Sequence, residues 1–516
     1  RAYEFSWNDE LISLKQFSNV LTSSIHGIGR ELDTRVSGIP VILYNALGFA
    51  VTDIAEIELD LPKAPKGITV YDEKGKKVSA QLISYTDGKA RILVEATVPA
   101  TGYVVYDVRT SGTGASNVST NVNTLENSLY KITLDKNGDI VSLTDKKNGK
   151  ELVKAGKAIR LALFTQNKSY NWPAWEVLKE TTDRTPVSIT DDVKITLVED
   201  GTLRKSLCVE KRHGESVFRQ YIRLYEGSRA ERIDFYNEID WQSTNALLKA
   251  EFPLNIENEK ATYDLGIGSI QRGNNTETAY EVYAQYWADL TDHDGSYGVS
   301  VMNDSKYGWD KPDNHTIRLT LLHTPETRGG YAYQDHQDLG HHTFTYSLIP
   351  HQGALDKPAT VEKAEKLNQQ LKAFRTEKHK GNAGKSFSFV ASDNRNVLIK
   401  ALKKAEETDE YVVRVYETEG RKAQSATLTF AGEIISASEA NGTEKTIGNA
   451  TFKGNKLQVN ITPYSVRTYK VRLKPSGREA SPIEYAALPL DYDRKCASYN
   501  EFRGEGDFES GYSFAA

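Results

Sequence analysis

Apolar residues near the start of the chain recur every three or four positions. Leu14, Phe17, Leu21, Ile25, Ile28 and Leu32 fall on one face of a helix predicted over residues 4–35. Such a stripe needs partners to cover it, and no second strongly periodic helix lies nearby, so residues 1–37 are expected to hold the last helix of a bundle. The alternative is a helix packed on the sheet that follows. After Gly38-Ile39-Pro40 the period changes to two, as in Ile57-Glu58-Leu59-Asp60-Leu61 and Tyr103-Val104-Val105-Tyr106-Asp107-Val108-Arg109, which predicts a small β-sandwich over 38–110. The stretch from Ser111 to Asn117 is poor in apolar residues and rich in turn formers, so 111–123 reads as a linker.

From 124 to 375 many short alternating runs follow, such as Tyr130-Lys131-Ile132-Thr133-Leu134 and Gln220-Tyr221-Ile222-Arg223-Leu224, separated by turns like Lys136-Asn137-Gly138-Asp139. Without βαβ alternation, these predict a large packing of antiparallel sheets. Two helical patterns interrupt them, one at 358–374 (Val361, Ala364, Leu367, Leu371) and one at 396–407. Alternation returns between Tyr411 and Val471, so 376–516 is expected to be a C-terminal β region with a short helix, completing or packing on the large sheets. No fixed-period repeat points to a propeller or solenoid.

Composition narrows the function classes. At ~150 residues per domain, 516 residues suggest about three domains. A formal charge of −5, without basic blocks beside aromatics, argues against a nucleic-acid partner. No run approaches the ~18 apolar positions of a membrane span, and the chain reads as soluble and globular rather than disordered. Cys208 and Cys496 lack any CxxC or Cys/His spacing, so neither a disulfide framework nor a structural zinc is expected. The chain opens on Arg1 without a signal-like segment and ends at Ala516 within patterned sequence, so a piece of a longer protein is expected, and the compartment stays open.

Three stretches carry candidate chemistry. Lys168-Ser169-Tyr170-Asn171-Trp172-Pro173-Ala174-Trp175-Glu176 sets two indoles around a proline in a polar segment. Indole faces on a loop suit the C–H faces of sugars, with Glu176 and Asn171 available to hydroxyls; the competing reading has both indoles plugging the edge of a core. The second stretch runs from Tyr331 to Tyr346 and holds Asp335, His336, Asp338, His341 and His342. Its spacing matches neither HExxH nor a closed zinc site, so a loop whose His and Asp bond one another or reach a neighbouring cleft is favoured over a bound metal. In the third, Asp289 and Asp304 are candidates for acid/base work, with a structural role in turns the better expectation. No GxSxG, Walker loop or strand-to-helix GxGxxG is present, leaving serine hydrolase, NTPase and dinucleotide readings unsupported.

These stretches resemble the C-terminal half of family 38 α-mannosidases. The resemblance rests on an ordered series: Val41 to Phe49, Leu125 to Tyr130, Ile140 to Lys147, Asn171-Trp172-Pro173-Ala174-Trp175-Glu176, Ile239-Asp240-Trp241, Trp287-Ala288-Asp289-Leu290, Asn303-Asp304-Ser305-Lys306-Tyr307-Gly308 and Phe344 to His351. It implies a mainly β fold, with a small β-sandwich, a large galactose-mutarotase-like antiparallel super-sandwich, a C-terminal β-sandwich and one N-terminal bundle helix.

It also implies a retaining, zinc-dependent enzyme acting on terminal α-mannosides, whose zinc ligands and Asp nucleophile belong to an N-terminal barrel and an adjoining loop. Gln16-Phe17-Ser18-Asn19 echoes the family's Gln-x-His-Asp zinc motif but lacks the histidine and sits mid-helix, so no catalytic or metal residue is assigned in this chain. By itself the chain is expected to be inactive. Its expected contribution is part of the cleft: Trp172, Trp175 and Glu176 first, then Asp335, His341 and His342. The expected partners are an α-mannoside oligosaccharide and the missing barrel, with homo-oligomerisation open. Competing readings are a self-contained carbohydrate-binding β-sandwich module and a mutarotase-like or lyase-like enzyme using His341 or His342 as base.

Overall fold

Period-two alternation buries one face of strands such as Val51–Asp60, and the sheets of the described residues pack face to face into three units, two of two sheets and one of three. The computed structural model describes residues 2–113, 117–120 and 122–475. Cys496 and the patterned residues 506–516 lie outside them. In the first packing, a sheet built on Ile39–Asn45 and Gly102–Thr113 faces a three-stranded sheet of Val51–Asp60, Lys89–Val98 and Ala80–Thr86, closing over Val41, Leu43, Ile57, Val94 and Val104. Strands Lys372–Arg375 and Ser386–Ser388, far along the sequence, add to the same sheet.

The large packing sets a ten-stranded sheet against a six-stranded and a four-stranded one. Neighbours in the ten-stranded sheet run antiparallel, as the turn-rich sequence predicts. Its core includes Phe218, Phe235, Trp241, Leu248, Phe252, Leu319 and Tyr346. The turn-forming segment after Arg109 carries strand at both ends: residues 111–113 extend the first sandwich, whereas Asn117–Thr120 joins the edge of the ten-stranded sheet. The third packing, a four-stranded and a five-stranded sheet, closes over its own core of Val413, Val415, Leu428, Leu457 and Val471.

Two helical expectations change. Residues 397–404 form a strand, Val397–Lys404, paired with Tyr411–Glu417. The apolar spacing there imitates a helical face over one turn, but Val397 and Ile399 enter the core between two sheets while Leu398 is buried outside it, the alternation of a strand. The helix predicted over 358–374 ends at Asn368, before the return strand at Lys372. Asp356 caps its start by accepting from the Ala359 N–H at 3.1 Å, and Pro358 stands in the first turn.

The N-terminal helix spans Ala2–Gly29 and stops where Gly29 meets the sandwich, so closely that an added Cβ would lie 2.9 Å from Ile42 Cδ1. Ile25 and Leu32 pack on Ile42, Tyr103 and Val105. The rest of the stripe stays uncovered: Leu14 is 63% and Phe17 72% exposed. Packing on the sheet therefore describes the end of the helix, and the earlier turns, although they bury Asn8 and Ile12, leave Leu14 and Phe17 facing solvent.

Candidate functional site

The loops after strands Arg160–Thr165 and Thr316–Thr324 lie side by side at one end of the six-stranded sheet, because both strands flank Ala246–Pro253. They are stitched by a short parallel bridge in which Ser169 N–H donates to the Glu326 carbonyl at 3.1 Å and Glu326 N–H to the Asn167 carbonyl at 2.7 Å. Two candidate stretches about 160 residues apart in sequence thus become neighbours.

In the first loop, one oxygen of Glu176 accepts from the Ser169 hydroxyl and the Tyr170 N–H, both at 2.6 Å, and from the Asn171 and Trp172 N–H groups at 2.9 and 3.2 Å. The Trp175 and Glu176 N–H groups close back on the Trp172 carbonyl at 2.8 and 2.9 Å. Burial pushes the Glu176 carboxyl up, but these donors outweigh it and hold it below its ordinary value. That oxygen is engaged in shaping the loop rather than offered to a sugar hydroxyl. Glu176→Ala is expected to loosen the loop by about 1.5–3 kcal/mol, the range for hydrogen bonds to a charged group. Faster protease cleavage within residues 168–178 would register it, and an unchanged cleavage rate would contradict it. Because the folded value is depressed, this support is present above the unfolded pKa of about 4.3 and is lost as pH falls through the folded value.

So held, the loop presents its aromatics outward. Trp172 is 54% and Trp175 84% exposed, which removes the core-plug reading. The indoles stack at 5.7 Å between centroids, 18° from parallel, and Tyr331 of the second loop approaches Trp172 at 6.3 Å. Behind them the Arg328 guanidinium lies 4.2 Å from the Tyr170 ring, and the Tyr170 hydroxyl donates to Glu180 at 2.8 Å. The result is a ladder with one indole face free, a surface rather than a closed pocket. A cavity of about 580 Å³ beside Tyr44, Tyr103 and Tyr286, and one of about 590 Å³ beside Glu257 and His293, are lined by none of these residues.

The second loop divides. Tyr331 joins the platform, whereas Asp335 is exposed and meets His336 at 3.3 Å. His342 Nε2 donates to the Asp338 carbonyl at 2.6 Å, and His341 stands exposed on strand Gly340–Gln352 opposite Asp240. Asp289 is buried and accepts from Thr291, Ser300 and His351 at 2.6, 2.7 and 2.9 Å. Asp304 accepts from the Thr345 N–H and the Ser305 hydroxyl, both at 2.9 Å, and burial pushes its carboxyl up. Both acids thus brace local structure. Among the described residues no three His, Cys, Asp or Glu side chains gather as a metal set.

One residue escapes sequence reasoning. His323, at the end of strand Thr316–Thr324, lies beneath both loops, touching Asn167 and Pro173 of one and Asp338 of the other. A single histidine at a strand end carries no motif.

The chain has counterparts among known proteins. The model described as "Glycosyl hydrolases family 38 C-terminal domain" matches residues 125–327, a range that includes Trp172, Trp175 and His323 but not Tyr331. The model described as "Glycosyl hydrolases family 38 C-terminal beta sandwich domain" matches 396–469. Alpha-mannosidase G of Dictyostelium discoideum is 27% identical over 467 residues, covering 83% of this chain and 40% of that protein. Alpha-mannosidase 2C1 of Homo sapiens is 25% identical over 485 residues, covering 90% and 45%. The chain spans less than half the length of these relatives. The crystal structure of an alpha-mannosidase from Enterococcus faecalis V583 superposes with a TM-score of 0.67 at 17% identity, covering 86% of this chain and 57% of that one, and so shares the fold. With both C-terminal domains present in order and α-mannosidases aligned along most of its length, the chain belongs to glycosyl hydrolase family 38 and carries that family's C-terminal domains.

Proposed function

We propose that this chain forms a glycan-facing wall of a retaining, zinc-dependent α-mannosidase that hydrolyses terminal α-mannosides, the reacting groups being supplied by polypeptide outside it. The observation that carries the reading is the exposed, rigidly held Trp172–Trp175 pair on a loop of the family's domain. Hydrolysis with retention needs a nucleophile and an acid at close, defined separation. Asp289 and Asp304 are committed to hydrogen bonds within the fold, so neither is assigned such a role. The described side chains do not fit a zinc site, so on this reading the metal belongs to the other portion. The uncovered stripe of Leu14, Phe17 and Leu21 suits packing against helices of that portion.

The test is turnover of an aryl α-mannoside. The chain alone is expected to be inert, and the complete protein active and sensitive to chelation. Robust turnover by the 516-residue chain, or none by the complete zinc-loaded protein, would overturn the reading. Within the active protein, Trp175→Ala is expected to lower kcat/KM by about 2–10-fold, the worth of one aromatic contact. The free indole face also suits a self-contained binding module; tight calorimetric binding of mannose oligosaccharides by the chain alone would favour that reading.

A further inference from the structure

We propose that His323 is a positioning residue for the aromatic platform: its neutral ring pins the platform loop to the strand that carries the second loop, and protonation at Nδ1 loosens that pin. The proposal rests on the reading that the platform meets the glycan, although the clamp itself can be tested without any glycan.

The hydrogen bonds define the state of the ring. Asn167 is fully buried, and its Nδ2 lies 2.9 Å from the Ala246 carbonyl, which can only accept. That contact orients the amide, so Nδ2 also donates to His323 Nδ1 at 3.0 Å. Nδ1 must then be bare, and the single ring proton sits on Nε2, which faces the Pro173 carbonyl at 3.2 Å. Pro173 lies between the two indoles. The His323 backbone N–H donates to Asp338 at 2.8 Å, and the neighbouring Thr324 hydroxyl donates to the Gln337 carbonyl. One residue thus bonds the platform loop through its ring and the second loop through its backbone.

A second ring proton would have to enter at Nδ1, against the Asn167 N–H. Turning the amide over would answer that proton but set Oδ1 against the Ala246 carbonyl, so protonation costs one bond in either case. The charged groups facing the ring are divided. Asp338 and Glu176, one from each loop, favour the cation, while Lys249 on strand Ala246–Pro253 opposes it. Burial is the largest influence and, with Lys249, keeps the imidazole below its ordinary value. The folded state therefore prefers the neutral ring. The clamp is complete above the unfolded value of about 6.5 and is lost as pH falls from there through the folded value.

The test uses the full 516-residue chain, following acrylamide quenching of tryptophan fluorescence from about pH 8 to about pH 5. Wild type is expected to show a rise in quenching below neutrality with unchanged far-UV circular dichroism, and the Trp172→Phe/Trp175→Phe variant to lack it. His323→Gln, whose amide can accept from Asn167 and donate to Pro173 without titrating, is expected to abolish the transition and keep the low-quenching state. An unshifted transition in His323→Gln, or none in wild type, overturns the proposal. Should His323→Gln fail to fold, ring-nitrogen NMR of wild type decides: an Nε2–H tautomer at neutral pH supports the clamp, and an Nδ1–H tautomer or an imidazolium overturns it. A transition that persists while mannosides bind equally before and after it leaves the clamp standing and sinks the glycan reading of the platform.

Discussion

Asp310→Asn is expected to destabilise the large sandwich by about 3–5 kcal/mol, the cost of breaking a buried charge set by removing one member. Asp310 and Lys249 are fully buried, with Lys249 Nζ 2.7 Å from Asp310 Oδ1. Arg318 Nε lies 2.9 Å from Asp310 Oδ2, the Asn275 amide donates to the same oxygen at 3.0 Å, and Glu281 also pairs with Lys249. An amide of the same shape keeps the packing but leaves the two cations sharing less negative charge in a dry site. Burial pushes the Asp310 carboxyl up, yet Lys249 and Arg318 outweigh it and hold it below its ordinary value. Its contribution is accordingly present above the unfolded pKa of about 3.9 and disappears as pH falls through the folded value. The urea midpoint of the variant is the measurement, and a loss below about 1 kcal/mol would contradict the account. The same lysine faces His323, so this network also sets part of the field beneath the platform.

The second large effect is expected at Trp241. Trp241→Ala should cost about 3–5 kcal/mol, as for other buried aromatics cut to alanine. The ring is fully buried and meets Phe218 edge-on, with centroids 6.2 Å apart at 82°. Its Nε1–H donates to the Thr324 hydroxyl at 2.9 Å, and that hydroxyl donates to the Gln337 carbonyl. Trp241→Phe separates the two roles: it keeps most of the packing, loses the hydrogen bond, and should cost only about 0.5–1.5 kcal/mol. Both variants should speed amide exchange in residues 325–339, because the tether of that loop ends on the indole. Exchange unchanged in both would show that the loop is held by other contacts.

Much of this organisation is legible in the residues. Alternation such as Ile57-Glu58-Leu59-Asp60-Leu61 maps onto buried and exposed faces of a real strand, with Ile57, Leu59 and Leu61 inside. The ordered marks from Val41 to His351 carry the family, and Trp172-Pro173-Ala174-Trp175 announces a loop too aromatic for mere connection. Where the period is short the legibility fails, as at Val397–Lys404, where five apolar positions suit a helix turn as well as a strand and the neighbouring sheet decides.

The mainly β architecture, the amphipathic opening helix and the membership in family 38 follow from the residues without coordinates, because each is written in periodicity or in an ordered set of local motifs. It takes the assembled sheets to show that the indoles face solvent, that Glu176 shapes their loop, that Tyr331 joins them while His341 and His342 do not, and that His323 underlies the whole. These outcomes depend on which strands share a sheet. Arg160–Thr165 and Thr316–Thr324 flank one common strand, and their adjoining loops therefore meet across a gap in sequence that no local pattern spans.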